Sequence, residues 1–172
     1  ARLTRSRSTA SRALRGTWCL PGRLASGAES SYYIDIKSAI THPALLGTIA
    51  KEIAKEFEFE VIAGVAVGGV PLAVAVSLES ARPFAIIRST EKSHGKKDAV
   101  IGKVRGRSVL LVEDVTTSGG SALYGVETLR VSGAQIDRVV TVVDREAGAA
   151  EMLEKNGIKL FPLVRVHDLL QA

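Results

Sequence analysis

The sequence predicts an α/β domain built on a doubly wound, mainly parallel sheet, and three observations predict it. Short runs rich in Val, Ile, Leu and Ala recur along the chain, they are apolar at nearly every position, and stretches of helical spacing or glycine-rich turns separate them. A strand that is apolar at successive positions is buried on both faces, because successive side chains point to opposite sides of a sheet. Helices alternating with such strands are the crossovers that parallel pairing needs.

The first clear element begins at Thr41. In THPALLGTIAKEIAKEF, Pro43 suits a first helical turn, and Leu46, Ile49, Ile53 and Phe57 recur at spacings of three and four. That spacing lines one face of a helix that packs on a core. A β-branched run at 61–67 then reads as a strand, Gly68-Gly69 as its turn, and the stretch from Val70-Pro71 through LAVAVSL as the next helix. Strands at 84–88 and 108–112 follow, with a polar stretch between them. A helix at 120–131, a strand at 138–143, a helix at 147–155 and a strand at 158–164 complete the alternation. No internal repeat is visible.

At 172 residues, 46% hydrophobic and 24% charged, the chain is of a size for one domain with its own core. The single cysteine, Cys19, excludes an internal disulfide and gives no metal-ligand spacing, which suits a reducing cytoplasm. Apolar runs are broken by Gly, Pro or charge well before the roughly 18 residues a membrane span needs, so no membrane partner is expected. The formal charge of +5 is unevenly placed: residues 1–23 hold six arginines and no acid, leaving 17 basic against 18 acidic side chains. The near-neutral body argues against a nucleic-acid partner. Residues 1–23 read as a basic segment, helical or poorly ordered, and 24–172 as the domain. A targeting peptide, a phosphate-binding arm and an ordinary first helix all fit the composition of that segment.

In such sheets ligands bind beyond the carboxyl ends of the strands, so the loops that follow strands carry the chemistry. The most informative is VLLVEDVTTSGGSALYGVETLR, 109–130. A buried strand ends in Glu113 and Asp114; Val115, Thr116, Thr117, Ser118, Gly119, Gly120 and Ser121 then lead into a helix. Glycines allow close backbone approach, and hydroxyls with the free N–H groups of a helix start make a phosphate cradle. Two carboxylates beside that cradle suit ribose hydroxyls or a cation, since at 4 Å their repulsion is on the order of 4 kcal/mol. A plain helix cap needs one hydroxyl rather than an unbroken run of hydroxyl and glycine residues. No lysine follows the glycines as a nucleoside-triphosphate loop requires.

This segment is similar to the phosphoribosyl pyrophosphate signature of the type I phosphoribosyltransferases. The resemblance implies that family's fold, a doubly wound sheet with a small N-terminal hood, and paired acids on the ribose with the loop on the 5-phosphate. The segment 88–107, RSTEKSHGKKDAVIGKVRGR, resembles the catalytic lid of the orotate-specific members, in which Arg88, Lys92 and His94 match the pyrophosphate contacts. Two further segments resemble the orotate side: SGAESSYYIDIK, 26–37, with Tyr32-Tyr33 just before a short strand, and VVDREAGA, 142–149, with Arg145, which acts together with Thr117. An arginine fork suits a planar substrate bearing a carboxylate.

The resemblance runs from about residue 24 to 170. It implies transfer of ribose 5-phosphate from phosphoribosyl pyrophosphate to orotate, Lys92, Asp114 and His94 as the catalytic residues, Mg²⁺ held mainly through substrate with no direct protein ligand, and a homodimer whose lid reaches across the interface. Ala25, Gly68 and Ser89 stand where many members carry basic residues. His42 and His167 read as structural, and no His/Cys cluster suggests zinc. A purine-type phosphoribosyltransferase and a phosphoribosyl-pyrophosphate-sensing transcriptional regulator on the same fold are the competing expectations. The tyrosine pair and Arg145 argue against the first. The lack of room for a DNA-binding domain argues against the second.

Overall fold

The computed structural model describes residues 9–14, 19–23, 29–89 and 99–170. A short helix α1 (Thr9–Leu14) precedes a hairpin of β1 (Cys19–Arg23) and β2 (Glu29–Ile34), followed by α2 (Ile36–Ala39) and α3 (Pro43–Glu56). The main run is β3 (Val61–Val65), α4 (Gly69–Ser80), β4 (Phe84–Ile87), β5 (Val100–Ile101), β6 (Val109–Thr116) and α5 (Gly120–Val131). It ends with β7 (Arg138–Asp144), α6 (Ala149–Lys155), β8 (Lys159–Arg165) and α7 (Val166–Leu170).

Six strands form one sheet in the order β5-β4-β3-β6-β7-β8, and β1-β2 form a separate two-stranded sheet. Every pair in the large sheet is parallel except β4 with β5. The expected doubly wound, mainly parallel architecture is therefore present, and the N-terminal hairpin is not part of the large sheet.

Alternation along the strands divides the core in two. On one face Ile62, Leu110, Val112, Val140 and Val142 pack with Leu14 and the buried side chains of α2, α3 and α4. On the other, Val61, Ala63, Val65, Val109, Leu111 and Val139 pack with Ala122, Val126 and Leu129 of α5 and Leu153 of α6. Each large side chain fully buried this way contributes roughly 1.5–3 kcal/mol. Helix α3 begins at Pro43 as the sequence predicts and buries Leu45, Ile49, Ala50 and Ile53. Leu46 is only partly buried, so the face is turned by one residue at its start.

Most element ends shift by a residue or two from the sequence expectation, β3 for instance stopping at Val65 rather than 67, and three larger differences bear on the site. β6 runs on through Thr116 rather than stopping at Val112, because its ladder with β7 continues to Thr116↔Asp144. Tyr32 and Tyr33 lie within β2 rather than ahead of a strand. β5 is an edge strand inside the stretch expected to be wholly irregular. Among the described residues no helix is long and apolar enough to cross a membrane.

From β3 the chain winds outward to β4; from β6 it winds the opposite way, to β7 and β8. The loops leaving β3 and β6 therefore part from each other, and the crevice between them is where a sheet of this kind binds its ligand.

Candidate active site

Glu113 and Asp114 occupy consecutive positions of β6, so they approach the crevice from opposite faces of the strand. Their partners bear this out. Ser121 Oγ, on the first turn of α5, donates to Glu113 Oε1 at 2.8 Å. Asp114 lies against Gly68, on the other face: a Cβ at position 68 would collide with the Asp114 carboxylate. Both acids are nearly buried, at 4% and 6% exposure. Burial, reinforced by the charge of Asp114, pushes the Glu113 carboxyl up to about 7, against the opposing pull of the Ser121 hydrogen bond and the Lys37 charge.

Asp114 Oδ1 accepts from the Val115 backbone N–H at 2.9 Å. Its Oδ2 is buried and has no hydrogen-bond donor. Lys37 Nζ stands 3.2 Å from that oxygen, an ion-pair contact off hydrogen-bonding geometry. Lys37 is itself 72% exposed, so it balances charge without filling the oxygen's acceptor sites. Asp35 places it: its carboxylate caps α2, accepting from the Ser38 N–H at 3.0 Å and the Ser38 hydroxyl at 2.6 Å. Sequence reasoning quoted Lys37 inside the 26–37 segment but gave it no role, and only its proximity to Asp114 reveals one. A buried carboxylate oxygen with an open acceptor site suits hydroxyl donors or a hard cation such as Mg²⁺. Among the described residues no group of three His, Cys, Asp or Glu could hold a metal. That open Asp114 oxygen, a hard carboxylate donor, is a chemical fit for Mg²⁺ held mainly through a substrate.

The turn that follows is built for close approach. Gly119 has φ of +87° and caps α5 with no side chain bonded to the helix N–H groups. A Cβ there would stand 3.1 Å from the Ala149 Cα, so α6 lies against the turn. Residues 115–122 line a cavity of about 220 Å³ into which the first turn of α5 opens. Larger clefts exist, of about 350 Å³ near Lys51, Lys55 and Arg82 and about 470 Å³ near Lys103, Arg105 and Arg107. Both lie by the amino ends of the strands, away from the crevice, so position and chemistry identify the site here and size does not.

Beyond β7 the chain returns to the same place. The Arg145 N–H bonds the Thr116 carbonyl at 2.9 Å. Asp144 Oδ1, buried, accepts from Thr116 Oγ at 3.2 Å and from the Glu146 N–H at 3.0 Å. Arg145 is exposed and joined through its backbone to the start of the phosphate turn. Thr117 and Ser118 are exposed at that turn.

Arg88 directly follows β4, on the β3 side of the crevice. Its N–H bonds the Ala99 carbonyl at 2.9 Å, and its carbonyl accepts from Tyr124 Oη of α5 at 3.0 Å. The root of the basic 88–107 segment is thus tied to the helix that carries the turn. Lys92 and His94 lie outside the described residues, as does Ala25. The structure brings together Arg88, Glu113, Asp114, residues 115–121 and Arg145.

A crevice at the switch point of a parallel sheet, a paired acid and an uncapped glycine turn define a receptor for a phosphorylated sugar. The sequence pattern of the phosphoribosyl transferase domain matches residues 38–161, which include the β6–α5 turn. The chain is 65% identical over 149 residues to the orotate phosphoribosyltransferase of Methanoculleus marisnigri, covering 87% of this chain and 88% of that one. The solved orotate phosphoribosyltransferase of Mycobacterium tuberculosis aligns at a TM-score of 0.81 and 32% identity in its Fe(III) dicitrate complex, over 94% of this chain and 97% of that one. In its complex with 5-phospho-α-D-ribosyl 1-diphosphate the values are 0.76 and 31% over the same shares. The chain belongs to the orotate phosphoribosyltransferase family.

Proposed function

We propose that this protein is a glycosyltransferase of pyrimidine biosynthesis that moves ribose 5-phosphate from phosphoribosyl pyrophosphate to orotate, giving orotidine 5′-monophosphate and pyrophosphate. The observation that carries this reading is the end of β6, where a buried Asp114 oxygen without a donor stands beside a glycine turn at an uncapped helix start. Relatives of the same name over most of the chain support the choice of base.

In the reaction a ring nitrogen of orotate bonds to the anomeric carbon as the bond from that carbon to pyrophosphate oxygen breaks, its electron pair leaving with pyrophosphate. The protein contributes orientation and charge rather than covalent chemistry. Asp114 accepts from the ribose hydroxyls. Glu113 acts on the same side of the reaction through Ser121, which it holds at 2.8 Å, fixing the phosphate turn to the strand. Residues 115–121 bind the 5-phosphate. Arg88, Lys92 and His94 neutralise the charge that grows on pyrophosphate, and the lid excludes water from a cationic sugar carbon. Tyr32, Tyr33, Thr117 and Arg145 hold orotate, the arginine pairing with its carboxylate. Mg²⁺, when bound, would be held mainly through substrate with Asp114 beside it, and would supply further neutralisation of the pyrophosphate. The enzyme works as a cytoplasmic homodimer with lid residues shared between subunits.

The test is loss of orotate absorbance with and without phosphoribosyl pyrophosphate and Mg²⁺, in the presence of adenine, hypoxanthine or uracil. Orotate should be consumed only when both are present, and the other bases should not compete. Consumption of a purine while orotate persists would overturn the base assignment. Consumption of no base would overturn the proposal itself.

A further inference from the structure

We infer that His167 is a positioning residue for base recognition, clamping Glu146 and thereby holding the Arg145 loop in its working shape. The inference rests on the reading of Arg145 as the orotate contact and extends it to a side chain on the C-terminal helix.

Four observations carry it. Glu146 has φ of +56°, a left-handed conformation in a residue other than glycine, so the chain just after Arg145 needs an external hold. That hold comes from α7: the His167 N–H donates to Glu146 Oε2 at 3.2 Å, and His167 Nδ1 lies 2.7 Å from both carboxylate oxygens. The ring's other nitrogen, Nε2, lies 3.2 Å from Asp168 Oδ1. Carboxylates only accept, so the ring and backbone of His167 are the donors in these contacts. On its inner side the same loop is fixed by Asp144 and Thr116. Arg145 therefore sits between two anchors, one in the phosphate turn and one in α7.

Burial raises the Glu146 carboxyl, but the His167 hydrogen bonds and the nearby charges of His167 and Arg165 outweigh it and hold the group below its ordinary range. A charge-assisted contact of this sort, rather than a core contact, is what joins the loop to the helix. The pair is partly exposed, at 48% for His167 and 33% for Glu146, so its removal opens no cavity in the core.

The experiment is steady-state kinetics of the full chain with both substrates varied, for Arg145→Ala, His167→Ala, His167→Gln, Glu146→Ala and the His167→Ala/Glu146→Ala pair. Expected are a rise of about tenfold in KM for orotate in His167→Ala and Glu146→Ala, with KM for phosphoribosyl pyrophosphate and kcat within about twofold. The double variant should be no worse than either single one, because both remove one contact. His167→Gln, which keeps a donor, should recover part of the loss. Equal changes in both KM values, or additive effects in the double variant, would mean a merely structural contact and overturn the inference. Were Arg145→Ala to raise KM for orotate while His167→Ala did not, this inference would fail and the orotate reading would stand. An Arg145→Ala variant with unchanged KM for orotate would remove both.

Discussion

Glu113 couples the site to the stability of the fold. Its carboxyl, buried at the end of β6, is pushed up to about 7 from an ordinary 4.5, chiefly by burial. A folded state that keeps its proton longer than the unfolded chain gains stability from that group below pH 4.5 and loses it as pH rises through about 7. The difference amounts to about 3 kcal/mol across that window. Glu113→Gln should therefore be more stable than the parent above pH 7 and should approach it below pH 4.5, as urea unfolding at a series of pH values would measure. A gap between the two proteins that stayed constant with pH would show that the carboxyl is not held back from ionising. The same change keeps an acceptor for the Ser121 hydroxyl but replaces a carboxylate oxygen with a weaker amide oxygen, so the stabilised variant should bind phosphoribosyl pyrophosphate slightly less well. Lys37 works in the other direction on the same pair, lending positive charge beside Gly68, where no side chain fits against Asp114.

At the scale of elements the β6–α5 turn is the piece most dependent on a particular backbone. Gly119 is left-handed and touches Ala149. Gly119→Ala should cost about 1–2 kcal/mol from the dihedral alone, and more if α6 has to shift. KM for phosphoribosyl pyrophosphate should rise while Gly120→Ala, with open space around its Cβ, leaves stability within about 0.5 kcal/mol of the parent. Thermal unfolding of the two variants side by side tests this, and equal losses would mean that the left-handed backbone at Gly119 is not what makes the turn demanding. The existence of this turn was legible in the sequence because hydroxyls, glycines and acids in that order serve few other purposes. The end of the strand was not. Acids disfavour strands, so pattern reading stops β6 at Val112, whereas pairing with β7 carries it on to Thr116. The two residues of β5 were hidden for a similar reason, lying in a polar, glycine-broken stretch and gaining their strand geometry only from the edge of β4. Lys37, Asp144 and Glu146 could not be read at all, because what distinguishes each is a contact between distant parts of the chain.

The whole molecule decides which crevice the lid serves. Arg88 and Ala99, on either side of residues 89–98, are hydrogen-bonded to each other through their backbones. The end of β4, where the segment proposed as the lid begins, is two strands from the end of β6, a distance of about 10 Å. A lid over its own subunit's crevice and a lid shared across the proposed dimer interface are the two arrangements to be told apart. A mixing experiment separates the two. Lys92→Ala and Asp114→Asn should each have little activity alone. In a randomly mixed population, a lid acting across the interface gives half of the dimers one intact site, or about one quarter of the parent's activity. That recovery is the expected result, read as initial rate after unfolding and refolding the two variants together. A mixture no more active than its components would place the lid over its own subunit and remove the need for a dimer in catalysis.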